Sequence, residues 1–144
     1  MNFEEDHALT EKVIGSAMKV HRRLGPGFLE SVYRNALAFE LRRTGLEVEI
    51  DKHITVKYDH VIVGDFIADL IVNEALICEL KAATALSKAD EVQLVNYLTA
   101  TNHDFGLLLN FGSLSLQFKR KHRRTLPQPA DVDLQNPRNP VNPV

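Results

Sequence analysis

The chain has one cysteine, Cys78. A lone thiol forms no internal disulfide, which excludes the disulfide-stapled secreted scaffolds and suits a reducing cytoplasm, the expected location. Long hydrophobic runs are also missing. No stretch approaches the roughly 18 unbroken apolar residues of a membrane span, so no membrane association is expected. The first ten residues carry Glu4, Glu5 and Asp6 and no apolar run, which does not read as a signal peptide. Neither sign of charge dominates: the net charge is −2, so the molecule as a whole has no basic bias. Proline is scarce except at the end, where five of six occur from Pro127 onward. Internal repeats are absent.

What remains is ordinary globular material, 144 residues with 44% hydrophobic and 25% charged. That suffices for one core and fits one domain. The expected domain is 1–124. Residues 125–144, rich in proline and asparagine, bury too little apolar area to fold and are expected to be a flexible tail. Charge is unevenly placed. Lys119, Arg120, Lys121, Arg123 and Arg124 crowd together on an otherwise acidic chain. Such a run can meet a phosphate backbone, or it can be a solvated tail that aids solubility; composition leaves both open.

Periodicity divides the chain into eight elements. Thr10 is a possible N-cap for a first helix, in which Val13, Ile14, Ala17, Met18, Val20 and Leu24 recur at helical spacing before Gly25 ends it. Pro26 suits a new helix start, and the second helix is expected from Gly27 to Thr44 with Val32, Ala36, Leu37, Phe39 and Leu41 on its apolar side. Leu46, Val48, Ile50, Ile54, Val56 and Tyr58 then alternate with polar residues as a strand. Val61 to Val72 is a second strand, with Gly64 at a bulge or bend. Asn73-Glu74 turns into a third from Ala75 to Lys81. Apolar residues on both faces of this hairpin put it inside the sheet. Ser87 caps a third helix from Lys88 to Thr101, with Val92, Leu94, Val95 and Leu98 as its stripe. Phe105 to Phe111 and then Leu114, Leu116 and Phe118 supply two more strands. The order is α-α-β-β-β-α-β-β, an α/β chain of the α+β kind with a mixed central sheet flanked by helices.

Chemistry concentrates in the hairpin. Glu79 and Lys81 are two apart on one strand and share a face. A turn about residue 74 sets Asp69 opposite Glu79, with Cβ atoms about 5 Å apart; a slip of one residue would put them on opposite faces. Buried charges are costly unless paired or bound to a metal. Two carboxylates suit Mg2+, which takes oxygen ligands and commonly uses one or two carboxylates plus substrate phosphate. A metal there can activate water, and Lys81 can stabilise developing charge. A structural Asp69–Lys81 or Glu79–Lys81 ion pair satisfies the same spacing. Cys78 alternates with Glu79 and faces away, as inert packing.

Asp69 followed by Glu79-Leu80-Lys81 resembles the D…(D/E)XK signature of the PD-(D/E)XK nuclease superfamily, whose restriction-endonuclease-like α-β-β-β-α-β core matches the order from the second helix on. Gly27-Phe28-Leu29-Glu30-Ser31-Val32-Tyr33 is similar to the pattern that names the GxxExxY family, a branch of that superfamily. Gln93-Leu94-Val95-Asn96-Tyr97 resembles the Q-x-x-x-Y element of RecB-like nucleases, and the run from Gly106 to Gly112 is typical of the family. The resemblance covers residues 10 to 121; Ala68 stands where the superfamily name has proline. It implies Asp69 and Glu79 as metal ligands for Mg2+, with Mn2+ as a substitute, Lys81 as the catalytic lysine, and Glu30 as a further acidic residue at the site. Gln93 and Tyr97, four apart, would support it from one helical face. On residue type alone, Glu30 is also a favourable anion in the first turn of a helix, and Tyr33 and Tyr97 are also core material. The implied function is a metal-dependent nuclease acting on DNA, with a homodimer as one way to cut both strands. An inactive nucleic-acid-binding module or a protein-interaction subunit retaining the fold is the alternative.

Overall fold

The computed structural model describes residues 3–124; the expected tail lies outside the described residues. The elements are α1 (Phe3–Leu24), α2 (Glu30–Arg43), β1 (Val48–Tyr58), β2 (Val61–Val72), β3 (Leu76–Lys81), α3 (Lys88–Thr101), β4 (Phe105–Asn110) and β5 (Gln117–His122). The strands form one sheet in the order β1-β2-β3-β4-β5. Every neighbouring pair is antiparallel except β3–β4. That parallel pair needs a crossover, which α3 provides.

Helices cover both faces. On one, Val13, Ile14, Ala17 and Val20 of α1 and Tyr33, Leu37, Ala38 and Leu41 of α2 pack on Leu70, Val72, Leu76, Cys78, Leu80, Leu107 and Leu109. On the other, Leu94 and Leu98 of α3 pack on Ala68, Ile71, Ile77 and Leu108. The central strands β3 and β4 are buried on both sides, which is why their sequences are nearly continuous apolar runs.

Several local expectations need correction. Thr10 lies inside α1, not at its start; its hydroxyl donates to Asp6 O (2.8 Å), bonding back one turn. Gly25 does end α1, in a left-handed conformation (φ 69°) with its N–H donating to His21 O (2.8 Å). Helix α2 starts at Glu30, three residues later than Gly27, so Pro26 belongs to the linker. Val32 and Phe39 face solvent, and Tyr33 and Ala38 take the core positions instead. In α3, Ser87 caps as expected: its hydroxyl accepts from Asp90 N–H (3.1 Å), and the Asp90 carboxylate accepts from Ser87 N–H (3.0 Å). Leu94 and Leu98 alone are fully buried there, while Val92 is exposed. The last strand starts at Gln117, and Leu114 is 91% exposed in the preceding turn. The basic run is therefore partly an edge strand, not a tail.

Candidate active site where the β2–β3 ladder opens

The β2–β3 hairpin turns through Asn73 and Glu74, both left-handed (φ 52° and 57°), with Ala75 N–H donating to Val72 O (3.0 Å). The ladder pairs Val72 with Leu76, Ile71 with Ile77 and Leu70 with Cys78. This is the register a turn about residue 74 predicts. Asp69 and Glu79 come at the next level, where backbone pairing stops and side chains take over. Asp69 Oδ2 accepts from Leu80 N–H (2.7 Å), and Glu79 Oε1 accepts a longer bond from Asp69 N–H (3.4 Å). Each carboxylate is thus fixed on the opposite strand's backbone.

A second irregularity adjoins the first. In β1, Asp51 is left-handed (φ 52°); Ile50 pairs with Leu70 and Lys52 with Ala68, with no ladder pair joining Asp51 to Asp69. At this level the β1–β2 ribbon changes faces. Val48, Ile50, Leu70 and Val72 join the core under α1 and α2, whereas Ile54, Phe66 and Ala68 pack with α3. Further out, the register shifts between Val56 and Lys57, opposite Gly64. Asp69 therefore sits at a break in the regular sheet on both of its sides.

Burial raises the proton affinity of both carboxylates. Asp69 is raised chiefly by desolvation, helped by the charges of Glu30 and Asp51 and opposed by the Leu80 N–H and Lys81. Glu79 is pushed up to about 8 by desolvation and then by Asp69's charge, with Lys81 opposing. Two adjacent acids that both resist ionising, Glu79 partly because of Asp69, form a site that a cation would relieve. Among the described residues no group of three or more His, Cys, Asp or Glu forms a ready cage. A two-carboxylate site still suits Mg2+, which retains several waters and takes further oxygens from substrate.

The other expected residues fall as follows. Lys81, two along β3 from Glu79, has its Nζ 3.8 Å from Asp90 Oδ1 at the start of α3. Its strand end is pinned: Phe111 N–H donates to Lys81 O (2.8 Å). The buried Asn110 side chain accepts from Ala83 N–H (3.0 Å) and donates to Ala83 O (2.9 Å). Glu30 opens α2, exposed but close enough for its charge to act on Asp69. Tyr33 orders the linker before it. The ring stacks on Phe111 (4.7 Å, 14°), and the hydroxyl donates to Gly25 O (2.5 Å) and accepts from Phe28 N–H (3.1 Å). Tyr97 stacks on Phe66 of β2 (3.4 Å, 11°), and Gln93 is exposed. Among the described residues no hydrogen bond joins either to the carboxylates. The basic run is largely engaged within the fold. Arg120 pairs with Glu11, Lys121 with Glu91 (2.9 Å) and Arg123 with Asp104 (2.6 Å); Arg124 donates to Asn96. Cys78 is fully buried in the α1/α2 core, its thiol pushed up by desolvation, which leaves it inert.

Three residues at the site were not among the expected ones: Asp51, its partner Arg34, and Asp90. For Asp90 a signal existed, the Ser87-x-x-Asp90 capping pattern. At Asp51 the one signal was the polar run Asp51-Lys52-His53 that interrupts the alternation of its strand; Arg34 gave none.

A mixed five-stranded sheet flanked by helices, with an Asp and a Glu-x-Lys at its opened centre, defines a restriction-endonuclease-like fold. A family model of the PD-(D/E)XK nuclease superfamily matches residues 7–124, and the chain belongs to that superfamily. Membership supports a nuclease-type function on nucleic acid, and such nucleases generally use divalent metals, typically Mg2+. Neither the curated proteins nor the solved structures contain a match. Among the described residues no helix is long and apolar enough to cross a membrane.

Proposed function

We propose that the chain is a divalent-metal-dependent nuclease of the GxxExxY branch that hydrolyses DNA phosphodiesters at Asp69, Glu79 and Lys81. The observation that carries this reading is the cross-strand anchoring of the two carboxylates beside Lys81, Asp69 on the Leu80 N–H and Glu79 on the Asp69 N–H. Asp69 and Glu79 would hold the ion, Mg2+ by preference with Mn2+ as a substitute, which supplies a polarised water and neutralises phosphate charge. Lys81 then directs its ammonium at the phosphoryl oxygen as charge builds there, a stabilisation that partial burial strengthens. Glu30 adds negative charge toward Asp69, deepening the site's demand for a cation. The Gly27, Glu30 and Tyr33 spacing favours the GxxExxY branch, because Tyr33 organises the linker that sets Glu30 in place. Gln93 and Tyr97 support the site from α3. With one site per chain, cutting both strands of a duplex favours a homodimer, and a reducing cytoplasm remains the proposed location.

One observation favours the second reading, an inactive nucleic-acid-binding module: Lys81 is drawn toward Asp90. Incubation of DNA with Mg2+ and wild type, Glu79→Ala or Lys81→Ala separates the two. The enzyme reading expects cleavage by wild type and a loss of at least about 100-fold in each variant. Equal rates in all three sink it.

A further inference from the structure

The basic run that would hold a phosphate backbone is tied up: Arg120, Lys121 and Arg123 already face Glu11, Glu91 and Asp104. The site itself is acidic. Glu30 and Asp51 both act on Asp69, and Glu79 stands beside it. A polyanion approaching this group needs a cation at its rim, and Lys81 leans toward Asp90.

Arg34 occupies that rim. It lies four residues after Glu30 on α2, hence on the same face of the helix. Its Nη1 donates to both oxygens of Asp51 (3.0 Å each), which fixes the guanidinium between α2 and the break in β1. Nε makes a long bond to Asn35 Oδ1 (3.4 Å), and Nη2 takes part in none of these bonds. The Arg34 side chain is 23% exposed and that of Asp51 47%, so the pair is open to solvent. A rigid fork that keeps Nη2 outside these bonds, and holds Nε only by a long one, is well matched to a phosphodiester.

We propose that Arg34 is a substrate-binding residue that grips a nucleic-acid phosphate beside the Asp69–Glu79 pair, and that Asp51, which pairs with it in the free protein, is dispensable for that grip. This rests on the nucleic-acid reading above and names the contact that reading lacks.

The test is binding of a fluorescein-labelled DNA duplex by fluorescence anisotropy across a salt series, with calcium in place of magnesium and the duplex checked intact on a gel. Wild type, Arg34→Gln and Asp51→Asn are compared, with thermal denaturation of each. Asparagine tolerates the left-handed conformation at position 51. Both substitutions break the same ion pair, so both lower the Tm by similar amounts. Arg34→Gln is expected to weaken binding roughly 5- to 20-fold and to make the slope of log K against log salt shallower by about 0.9, one phosphate contact on duplex DNA. Asp51→Asn frees the guanidinium and removes a negative charge, so the slope stays at the wild-type value and affinity is not reduced. Salt-dependent wild-type binding that Arg34→Gln leaves unchanged overturns this inference alone. So does an equal loss of affinity in both variants, which marks a structural tie. If wild type shows no salt-dependent binding, the nucleic-acid reading falls and this inference with it.

Discussion

Raising the pH of the metal-free protein should destabilise it, and Glu79 should be the cause. An isolated glutamate ionises near 4.5; in the fold Glu79 holds its proton to about 8, because burial and Asp69 oppose the charge. Between those values the native state binds a proton that the unfolded chain has lost. Stability therefore falls as pH rises through that window, the opposite sign to a salt-bridged carboxylate. At 1.36 kcal/mol per pKa unit the full shift corresponds to about 5 kcal/mol. Part of the side chain still meets solvent, so a loss on the order of 2–3 kcal/mol is expected. For a domain of this size each kcal/mol moves the Tm by roughly 3–4 °C. Thermal denaturation by circular dichroism in chelator, from pH 5.5 to 8.5, should show the Tm of wild type falling by roughly 6–12 °C relative to Glu79→Gln, which keeps an uncharged side chain throughout. Magnesium added at the high end should recover most of the difference, since it binds the ionised pair. Parallel Tm–pH curves for wild type and Glu79→Gln would refute the reasoning.

Two further substitutions probe the frame around the site. A Cβ at Gly112 would fall 2.5 Å from Ala83 N and 2.6 Å from Ala82 C, backbone that follows Lys81 directly. Gly112→Ala should therefore cost about 2–4 kcal/mol in denaturant unfolding and lower nuclease activity by displacing the end of β3. Tyr33→Phe removes the hydroxyl's bonds to Gly25 O and Phe28 N–H while keeping the stack on Phe111. It should cost about 1–2 kcal/mol in the same measurement and loosen the linker ahead of Glu30, seen as faster amide exchange at Phe28.

Where local chemistry decided the structure, the sequence was readable. The Asn73-Glu74 turn and the alternation around it set the β2–β3 register, so the meeting of Asp69 and Glu79 could be anticipated. The Ser87 cap likewise marked the start of α3. Features set by distant partners were not readable. Leu114, Leu116 and Phe118 alternate like a strand, but pairing with β4 begins only at Gln117, opposite Asn110. The apolar residues of β1 keep one parity on either side of the polar run Asp51-Lys52-His53, yet Ile50 and Ile54 pack on opposite faces of the sheet. The parity alone does not reveal the left-handed Asp51 between them. The basic run looked like free charge because Glu11, Glu91 and Asp104, its partners, are remote in sequence. Thr10 has the chemistry of a helix cap, but the helix extends past it to Phe3.

On the proposed function, Asp69 and Glu79 jointly bind a divalent cation. Crystals soaked in Mn2+ and measured for anomalous scattering test it most directly. A peak is expected between the two carboxylates, within coordination distance of both and absent from Glu79→Gln crystals treated alike. A soaked wild-type crystal with no peak there, or an unchanged peak in the variant, contradicts it.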